Sequence, residues 1–169
     1  GSGPLCGCST ELGSRGVAGN AGGGEVAGRV SHYLVDSSAL WRILREPEIR
    51  AGWAEVISDH GIGSCHPQRA EFRRSARDMD EYDQMSAMFA DLYPDVPLPK
   101  ATWQWVETAQ YRLVRAGAHR ALSCVDLLIC AVAALRGLVI LHDDNDFGTA
   151  AQHLTELRER RVRTLPGPA

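Results

Sequence analysis

Acidic side chains stand at the ends of two strongly apolar segments of this sequence. Asp36 follows the apolar run 33–35, and Asp144 comes shortly after the apolar run 138–141. If both runs are parallel strands, their carboxyl ends meet at one edge of a sheet, where open α/β folds place their sites. Carboxylates brought together repel one another and normally need a cation, and oxygen ligands suit Mg²⁺ or Mn²⁺. Such ions activate water and stabilise charge at a phosphodiester.

Other acids fall in positions from which they could join this pair. Asp126 opens an apolar helix, Glu71 lies in the helix after the second strand, and Asp143 and Asp146 stand beside Asp144. Two acids at strand ends plus one on a buried helix are a costly arrangement for structure alone, because burial and like charge both disfavour ionised carboxylates. The joint occurrence therefore predicts a metal site.

Each acid also has a purely structural alternative, which the sequence leaves open. Asp36 before two serines could be a plain helix N-cap. Asp126, three residues after Ser123, fits a capping box for its own helix. Glu71 could pair with Arg74 on a solvated helix face, and the acids around Asp144 could form an ordinary turn.

The segments that must position these acids alternate between short apolar runs and amphipathic stretches, which predicts an α/β sandwich with a mostly parallel sheet. Gly61, Gly117 and Gly137 are the expected helix stops. Strands are predicted at 32–35, 62–65 and 138–141, with a possible edge strand at 162–165. Helices are predicted at 37–44, 49–57, 67–77, 82–92, 103–114 and 123–135, with a short helix after Asp146.

The glycine-rich beginning of the chain differs from the rest. Residues 1–29 hold ten of the 17 glycines and no aromatic residue, so they cannot bury enough surface to offset the entropy of ordering. We interpret this segment as a disordered tail or a remnant of an expression tag. Residues 30–169 are interpreted as one domain.

Composition narrows the classes of function. The net charge is −3 and the sequence pI about 6.1, which argues against a protein that coats nucleic acid by bulk positive charge. No apolar run is long enough to cross a bilayer, and no signal peptide is evident, so no membrane association is expected. Five cysteines without metal-type spacing suit a reducing cytoplasm, with Cys65, Cys124 and Cys130 expected in the core.

Local basic and aromatic groups are candidates for binding partners. Arg69, Arg73 and Arg77 recur every four residues, which would align them on one face of the helix that carries Glu71 and allow contacts with RNA phosphates. A solvated face is the alternative. Trp103 and Trp105 cannot both face inward on one helix, so one of them is a candidate for a protein interface.

The ordered set of motifs resembles a PIN-domain ribonuclease of the type found as VapC toxins in toxin–antitoxin pairs. The segment 33–40 (YLVDSSAL) is similar to the first strand and acid of the family, and 70–73 (AEFR) to its second acidic position. The segments 125–131 (VDLLICA) and 141–147 (LHDDNDF) resemble the third acidic position and the closing signature. The match covers about residues 32–165.

The resemblance implies a three-layer α/β/α sandwich around a mostly parallel sheet of four to five strands. It implies a metal-dependent endoribonuclease that leaves a 5′-phosphate and a 3′-hydroxyl, with a cognate antitoxin and a homodimeric state. The family's catalytic positions carry over as Asp36, Glu71, Asp126 and Asp144. Those that would hold Mg²⁺ or Mn²⁺ carry over as Asp36, Asp126, Asp144 and Asp146.

One departure from the family pattern affects the closing signature. His142 stands where the family usually has a serine or threonine that supports the acids, and Asp143 adds a further carboxylate. The sequence therefore leaves open which of Asp143, Asp144 and Asp146 binds metal.

Two other classes of function remain as alternatives. A phosphotransfer domain of the haloacid-dehalogenase or receiver type also has an acid after its first strand. The former needs a second acid where this chain has Ser38, and the latter needs a strand-end lysine, whereas the only lysine is Lys100. A catalytically silent PIN-like module that binds RNA or an antitoxin is the second alternative, and a missing acid would favour it.

Overall fold

The computed structural model describes residues 31–166, which contain four strands and seven helices. The strands are β1 (Tyr33–Val35), β2 (Ile62–Gly63), β3 (Val139–His142) and β4 (Arg158–Arg161). The helices are α1 (Ser37–Arg45), α2 (Pro47–Ser58), α3 (His66–Arg73), α4 (Met79–Leu92), α5 (Thr102–Arg115), α6 (Cys124–Arg136) and α7 (Asn145–His153).

All four strands are parallel, in the order β2-β1-β3-β4. Residues alternate between the two faces of the sheet, so Leu34 and Ile140 pack into one hydrophobic cluster and Val35 and Leu141 into the other. The first cluster is covered by α5, α6 and α7, and the second by α1, α2, α3 and α4. The three-layer α/β/α sandwich is therefore confirmed, with four strands.

Trp53 links two distant parts of the chain within the second hydrophobic cluster. Its side chain is fully buried, stands edge-on to Tyr33, and donates from Nε1 to the Val162 carbonyl at 2.7 Å. A buried indole needs such a partner for its N–H group. The bond joins α2 to the segment that follows β4.

Several predicted boundaries are wrong, each for a local reason. The third helix ends at Arg73 rather than Arg77, because the Ser75 hydroxyl donates a hydrogen bond to the Phe72 carbonyl and Asp78 is already the N-cap of the next helix. The second helix ends at Ser58, and His60 rather than Gly61 adopts the left-handed conformation after it.

Two further expectations also fail. The last strand is Arg158–Arg161 rather than 162–165, since charged residues are acceptable on a strand at the edge of a sheet. Cys124 is exposed rather than in the core, because it is the first residue of α6 and directly follows the N-cap Ser123.

Some expectations are confirmed. Gly137 ends α6 with a φ of 69°, and Gly117 follows α5 with a φ of 71°. Trp103 is 61% exposed, whereas Trp105 packs against the first cluster. The glycine-rich residues 1–29 lie outside the described residues.

Within residues 31–166, no helix combines the length and the apolar composition that crossing a bilayer requires.

Two glycine-to-alanine substitutions should change stability in opposite directions. Gly137→Ala forces an L residue into a left-handed conformation, so it should lower the free energy of unfolding by about 1–2 kcal/mol. Gly148→Ala lies inside α7 with open space around the added methyl group, so it should raise that free energy by about 0.5–1 kcal/mol. Urea denaturation of both variants and wild type measures the two shifts, and equal signs would contradict this account.

Candidate active site

The central pair of parallel strands brings the first and last acidic segments together. Val35 of β1 is in register with Leu141 of β3, and the Asp36 amide donates to the Leu141 carbonyl at 2.9 Å. Asp36 and the residues after His142 therefore leave the sheet side by side at its carboxyl edge. This is the convergence that the sequence predicts.

Asp36 is the most buried of the candidate acids, with 5% of its surface exposed. It caps α1, and its Oδ2 atom accepts from the backbone amide of Ser38 at 2.9 Å and from the Ser38 hydroxyl at 2.6 Å. Burial raises the pKa of Asp36, the two Ser38 bonds partly oppose this, and the negative charge of Asp126 adds to the rise. Asp36 is thus an N-cap and a member of an acid cluster at once.

Glu71 reaches the same place from α3. The Ser37 hydroxyl donates to Glu71 Oε2 at 3.1 Å, and so α1 and α3 are joined beside Asp36. The pKa of Glu71 is raised, first by burial and then by the negative charges of Asp36 and Asp126. A glutamate whose pKa rises in this way is better suited to accept a proton near neutral pH.

Asp126 forms a capping box with Ser123, which is the purely structural role predicted for it as an alternative to metal binding. Ser123 N donates to Asp126 Oδ2 at 2.8 Å, and Asp126 N donates to the Ser123 hydroxyl at 3.2 Å. Its charge nevertheless raises the pKa of Asp36 and of Glu71. The cap occupies one carboxylate oxygen, and Oδ1 has no hydrogen bond to another described residue.

Asp144 and Asp146 complete the cluster from the start of α7. Asp144 is the N-cap of that helix, and its Oδ1 atom accepts from the Asp146 amide at 3.1 Å. The pKa of Asp146 is raised by burial and then by the negative charges of Asp144 and Asp126. The acids of the α6 and α7 N-termini therefore share one negative region with Asp36 and Glu71.

Asp143 lies outside this cluster, although it adjoins Asp144 in sequence. Its carboxylate is only 6% exposed and faces three arginines: Arg42 Nε at 2.6 Å, Arg163 Nε at 3.3 Å and Arg161 Nη1 at 3.9 Å. Of the three acids that the sequence left open, Asp143 is thus paired with arginines, whereas the charges of Asp144 and Asp126 raise the pKa of Asp146.

His142 takes over the supporting role of the hydroxyl that it replaces. It is 1% exposed, its Nδ1 atom accepts from the Asp144 amide at 3.2 Å, and its Nε2 atom lies 2.8 Å from Glu159 Oε2. These partners assign the proton to Nε2, because Nδ1 must be bare to accept. The ring holds the turn at Asp144 against β4.

The serines and Glu159 are site residues that sequence reasoning missed. Besides holding Asp36, the Ser38 hydroxyl accepts from the Asp143 amide at 2.9 Å. The only signal for this role was the pair of hydroxyl residues directly after the strand-end acid. Nothing in the sequence linked Glu159 to the histidine 17 residues before it.

Within the described part of the chain no ion pair balances the cluster, and Arg74 is the one cation whose charge lowers the pKa of Glu71. Among residues 31–166, none of its five carboxylates forms an ion pair, whereas Asp143 alone faces three arginines. The donor set is oxygen only, which fits Mg²⁺ or Mn²⁺. In the described part of the chain no three acids close around one point, but Mg²⁺ usually keeps several waters and takes only one or two carboxylates.

The arginines predicted to meet RNA do not form one helical face. Arg69 is mostly buried, donates to Ser64 Oγ at 2.7 Å and to the Tyr93 carbonyl at 2.8 Å, and lies over Phe89. Arg73 donates to Ser86 and lies over the Tyr82 ring. Arg77 lies beyond the end of α3 and pairs with Glu81. Their contact with RNA stays a prediction, and the first two have structural partners.

Comparison with known proteins agrees with this geometry. Residues 33–152 match the family described as PIN domain. Ribonuclease VapC6 of Mycobacterium tuberculosis is 63% identical over 105 residues, which make up 62% of this chain and 83% of that protein. Ribonuclease VapC21 of the same organism is 29% identical over 117 residues, covering 69% of this chain and 84% of that protein.

Solved structures with the same fold include VapBC proteins bound to DNA. VapBC2 from Rickettsia felis, bound to a DNA fragment from its promoter, aligns with a TM-score of 0.63 at 12% identity, over 76% of this chain and 97% of that one. DNA-bound VapBC from Salmonella typhimurium aligns with a TM-score of 0.62 at 14% identity, over 79% and 99%. At these identities the likeness is one of fold.

The raised pKa of Glu71 predicts a stability that falls with rising pH. Between its ordinary and its raised pKa the folded state binds more protons than the unfolded state, so stability is lost as pH increases through that window. Glu71→Gln removes the charge and keeps an acceptor for Ser37. The variant should therefore gain stability relative to wild type as pH rises past the ordinary carboxyl range, measured by urea denaturation in chelator.

Glu81→Gln is the matched control with the opposite sign. Its hydrogen bond from Arg77 lowers the pKa of Glu81, so this variant should lose stability relative to wild type as pH rises through the lowered pKa. Parallel curves for Glu71→Gln and wild type across the pH series would show that Glu71 does not belong to a repulsive cluster.

Proposed function

This chain belongs to the PIN domain family, and we propose that it is a ribonuclease toxin of the VapC type whose activity a cognate antitoxin protein inhibits. The observation that carries the proposal is the convergence of five carboxylates that have no basic partner among the described residues: Asp36, Glu71, Asp126, Asp144 and Asp146. The 63% identity to a VapC ribonuclease supports the same activity.

We propose Mg²⁺ or Mn²⁺ as the cofactor of this cluster. The ion would take its one or two carboxylate ligands from Asp36, Asp126, Asp144 and Asp146, since Asp36, Asp126 and Asp144 each keep one carboxylate oxygen outside the capping bonds described above. When bound, the ion supplies a positive charge that activates water and stabilises the negative charge growing on the phosphodiester.

The residues of the chain have distinct tasks in this reaction. Ser38 fixes the direction of the Asp36 carboxylate, and Ser37 holds Glu71 across the cluster. Glu71, with its raised pKa, orients the attacking water and accepts a proton from it. In-line attack at phosphorus by that water would leave a 5′-phosphate and a 3′-hydroxyl on the RNA.

The proposal extends to partners and location. Structural neighbours include VapBC proteins bound to DNA and a member of the VapBC family of toxin–antitoxin systems, and we propose an antitoxin of that class for this chain. We also propose a homodimer, for which the exposed Trp103 on α5 is a candidate interface residue. An RNA substrate and the free Cys65, Cys124 and Cys130 favour the cytoplasm as the place of action.

The alternative, a silent binding module, is not favoured. A module of that kind would tolerate the loss of acids, yet all four positions carried over from the family hold one here. Burial and mutual repulsion raise the pKa of Asp36, Glu71 and Asp146, a cost that catalysis or metal binding explains and passive binding does not.

Substitution of Asp36 by Asn should abolish RNA cleavage while the fold persists. Asn keeps the size and an oxygen acceptor for Ser38, but it removes the charge at the most buried position of the cluster. The measurement is cleavage of total RNA in Mg²⁺ by purified protein, with the melting temperature of each variant taken in parallel.

Asp143→Asn is the control for this experiment. It removes a carboxylate one residue from Asp144, but that carboxylate faces arginines rather than the other acids. We expect Asp143→Asn to lose stability and to retain cleavage once folded. Full cleavage by Asp36→Asn, in a preparation free of contaminating nuclease, would refute the assignment of Asp36.

Thermal unfolding with and without metal separates the two roles of Asp126. If Asp126 only caps α6, Asp126→Asn should cost the same stability, about 0.5–2 kcal/mol, in chelator and in Mn²⁺. If it also holds the ion, the deficit should grow in Mn²⁺, because wild type gains about 2.7 kcal/mol at a hundredfold excess over the dissociation constant. An unresponsive wild type would refute the metal site.

A further inference from the structure

One face of α1 runs from the acid cluster to the end of the helix. Ser38, Trp41, Arg42 and Arg45 stand at positions i, i+3, i+4 and i+7, which places them on a single helical face. We refer to these four residues as the α1 stripe. The helix rises about 1.5 Å per residue, so the stripe extends about 10 Å from the serine that holds Asp36.

The α1 stripe lines a cavity. Its four residues and Asp143 enclose a volume of about 250 Å³. Ser38 belongs both to this cavity and to the acid cluster, since its hydroxyl bonds to Asp36 and to the Asp143 amide. A ligand in the cavity would therefore contact the serine that orients Asp36.

Trp41 and Arg45 form an aromatic and positively charged part of the cavity lining. The Trp41 ring lies 4.4 Å from the Phe72 ring, and the Arg45 guanidinium carbon lies 4.3 Å from the Trp41 ring centroid. Phe72, which is buried in the core, holds the indole in place, and Arg45 lies close to the same ring. Planar guanidinium groups and aromatic rings are the surfaces on which unpaired bases stack.

Arg45 differs from its neighbour Arg42 in its charge environment. Arg42 pairs with Asp143 at 2.6 Å and with Glu46 at 3.0 Å, so its charge is already compensated. Arg45 is exposed and forms no ion pair or hydrogen bond with any residue in the range 31–166. Its five N–H donors are thus available to a phosphate while its plane stays on Trp41.

We propose that this cavity is a nucleotide subsite for single-stranded RNA, adjacent to the bond that is cut. The base stacks on the Trp41–Arg45 pair, and the Arg45 guanidinium donates to a flanking phosphate. This subsite rests on the proposed ribonuclease function. A duplex does not fit it, because paired bases bury the faces that a stack must reach.

Binding of two RNA probes tests the subsite. The first probe is labelled oligouridine, and the second is the same ribose–phosphate backbone without bases. Arg45→Ala should weaken oligouridine binding roughly tenfold, the scale of one lost base stack, and weaken binding of the abasic probe much less. Arg45→Lys keeps the charge but not the plane, so it should leave the oligouridine defect largely in place. All binding is measured in the Asp36→Asn background to prevent cleavage.

Arg115→Ala is the matched control. Arg115 also lies over an exposed aromatic ring, that of Tyr111 at 5.9 Å, but on α5, which covers the opposite face of the sheet. It should bind both probes as the parent does. Equal binding by Arg45→Ala and Arg115→Ala would overturn the subsite, as would an equal loss for both probes. Unchanged RNA binding with weaker antitoxin binding would assign the cavity to the protein partner and overturn the subsite as well.

Cleavage by the protein with Asp36 intact keeps this test separate from that of the proposed function. If it cuts RNA and Arg45→Ala raises KM with little change in kcat, the subsite is supported. If it cuts RNA and Arg45→Ala is kinetically equal to Arg115→Ala, the subsite fails and the ribonuclease assignment stands. If it cuts no RNA, the ribonuclease assignment fails, and base-dependent binding through Arg45 would then indicate RNA binding without cleavage and would overturn a subsite beside a bond that is cut.

Discussion

The hydroxyl group of Ser38 holds together the parts of the molecule on which the site depends. It donates to the Asp36 carboxylate at the end of β1 and accepts from the Asp143 amide just after β3. One oxygen atom therefore orients the most buried acid, which is the N-cap of α1, and fixes the exit of the neighbouring strand. Since Asp36 is the N-cap of α1, the same contact also sets where the face of that helix begins.

Charge separation follows from this turn. Asp143 and Asp144 are consecutive, yet Asp143 lies among arginines and Asp144 lies beside acids that have no such partner in residues 31–166. His142 and Glu159 support the turn from the opposite side. The acids of the cluster thus carry uncompensated negative charge, whereas arginines compensate the charge of Asp143, one residue before Asp144. A bound cation is therefore needed only at the cluster.

Local patterns were enough to predict three of the parallel strands, most helices and the meeting of Asp36 with the segment after β3 at the carboxyl edge of the sheet. They could not give the Ser38–Asp143 bond, which spans 105 residues, or the arginines around Asp143, because such contacts depend on how distant elements pack. They also misplaced the last strand, since Arg158–Arg161 has no apolar alternation and is a strand only through its register with β3. For Asp36, a helix cap and a place in an acid cluster are alternatives in the sequence. In the structure its one carboxylate caps α1 and is also close enough to Asp126 for that charge to raise its pKa.

The two edges of the sheet have a consequence for self-association. β4 carries three arginines and a glutamate in four residues, and β2 is only two residues long, with the segment at Asp95 bridged to Ser64 directly beyond it. Long side chains of like charge and very short edge strands both disfavour the pairing of sheets from separate molecules. Edge-to-edge aggregation of copies of this protein is therefore disfavoured, and contacts between copies are left to the helical faces.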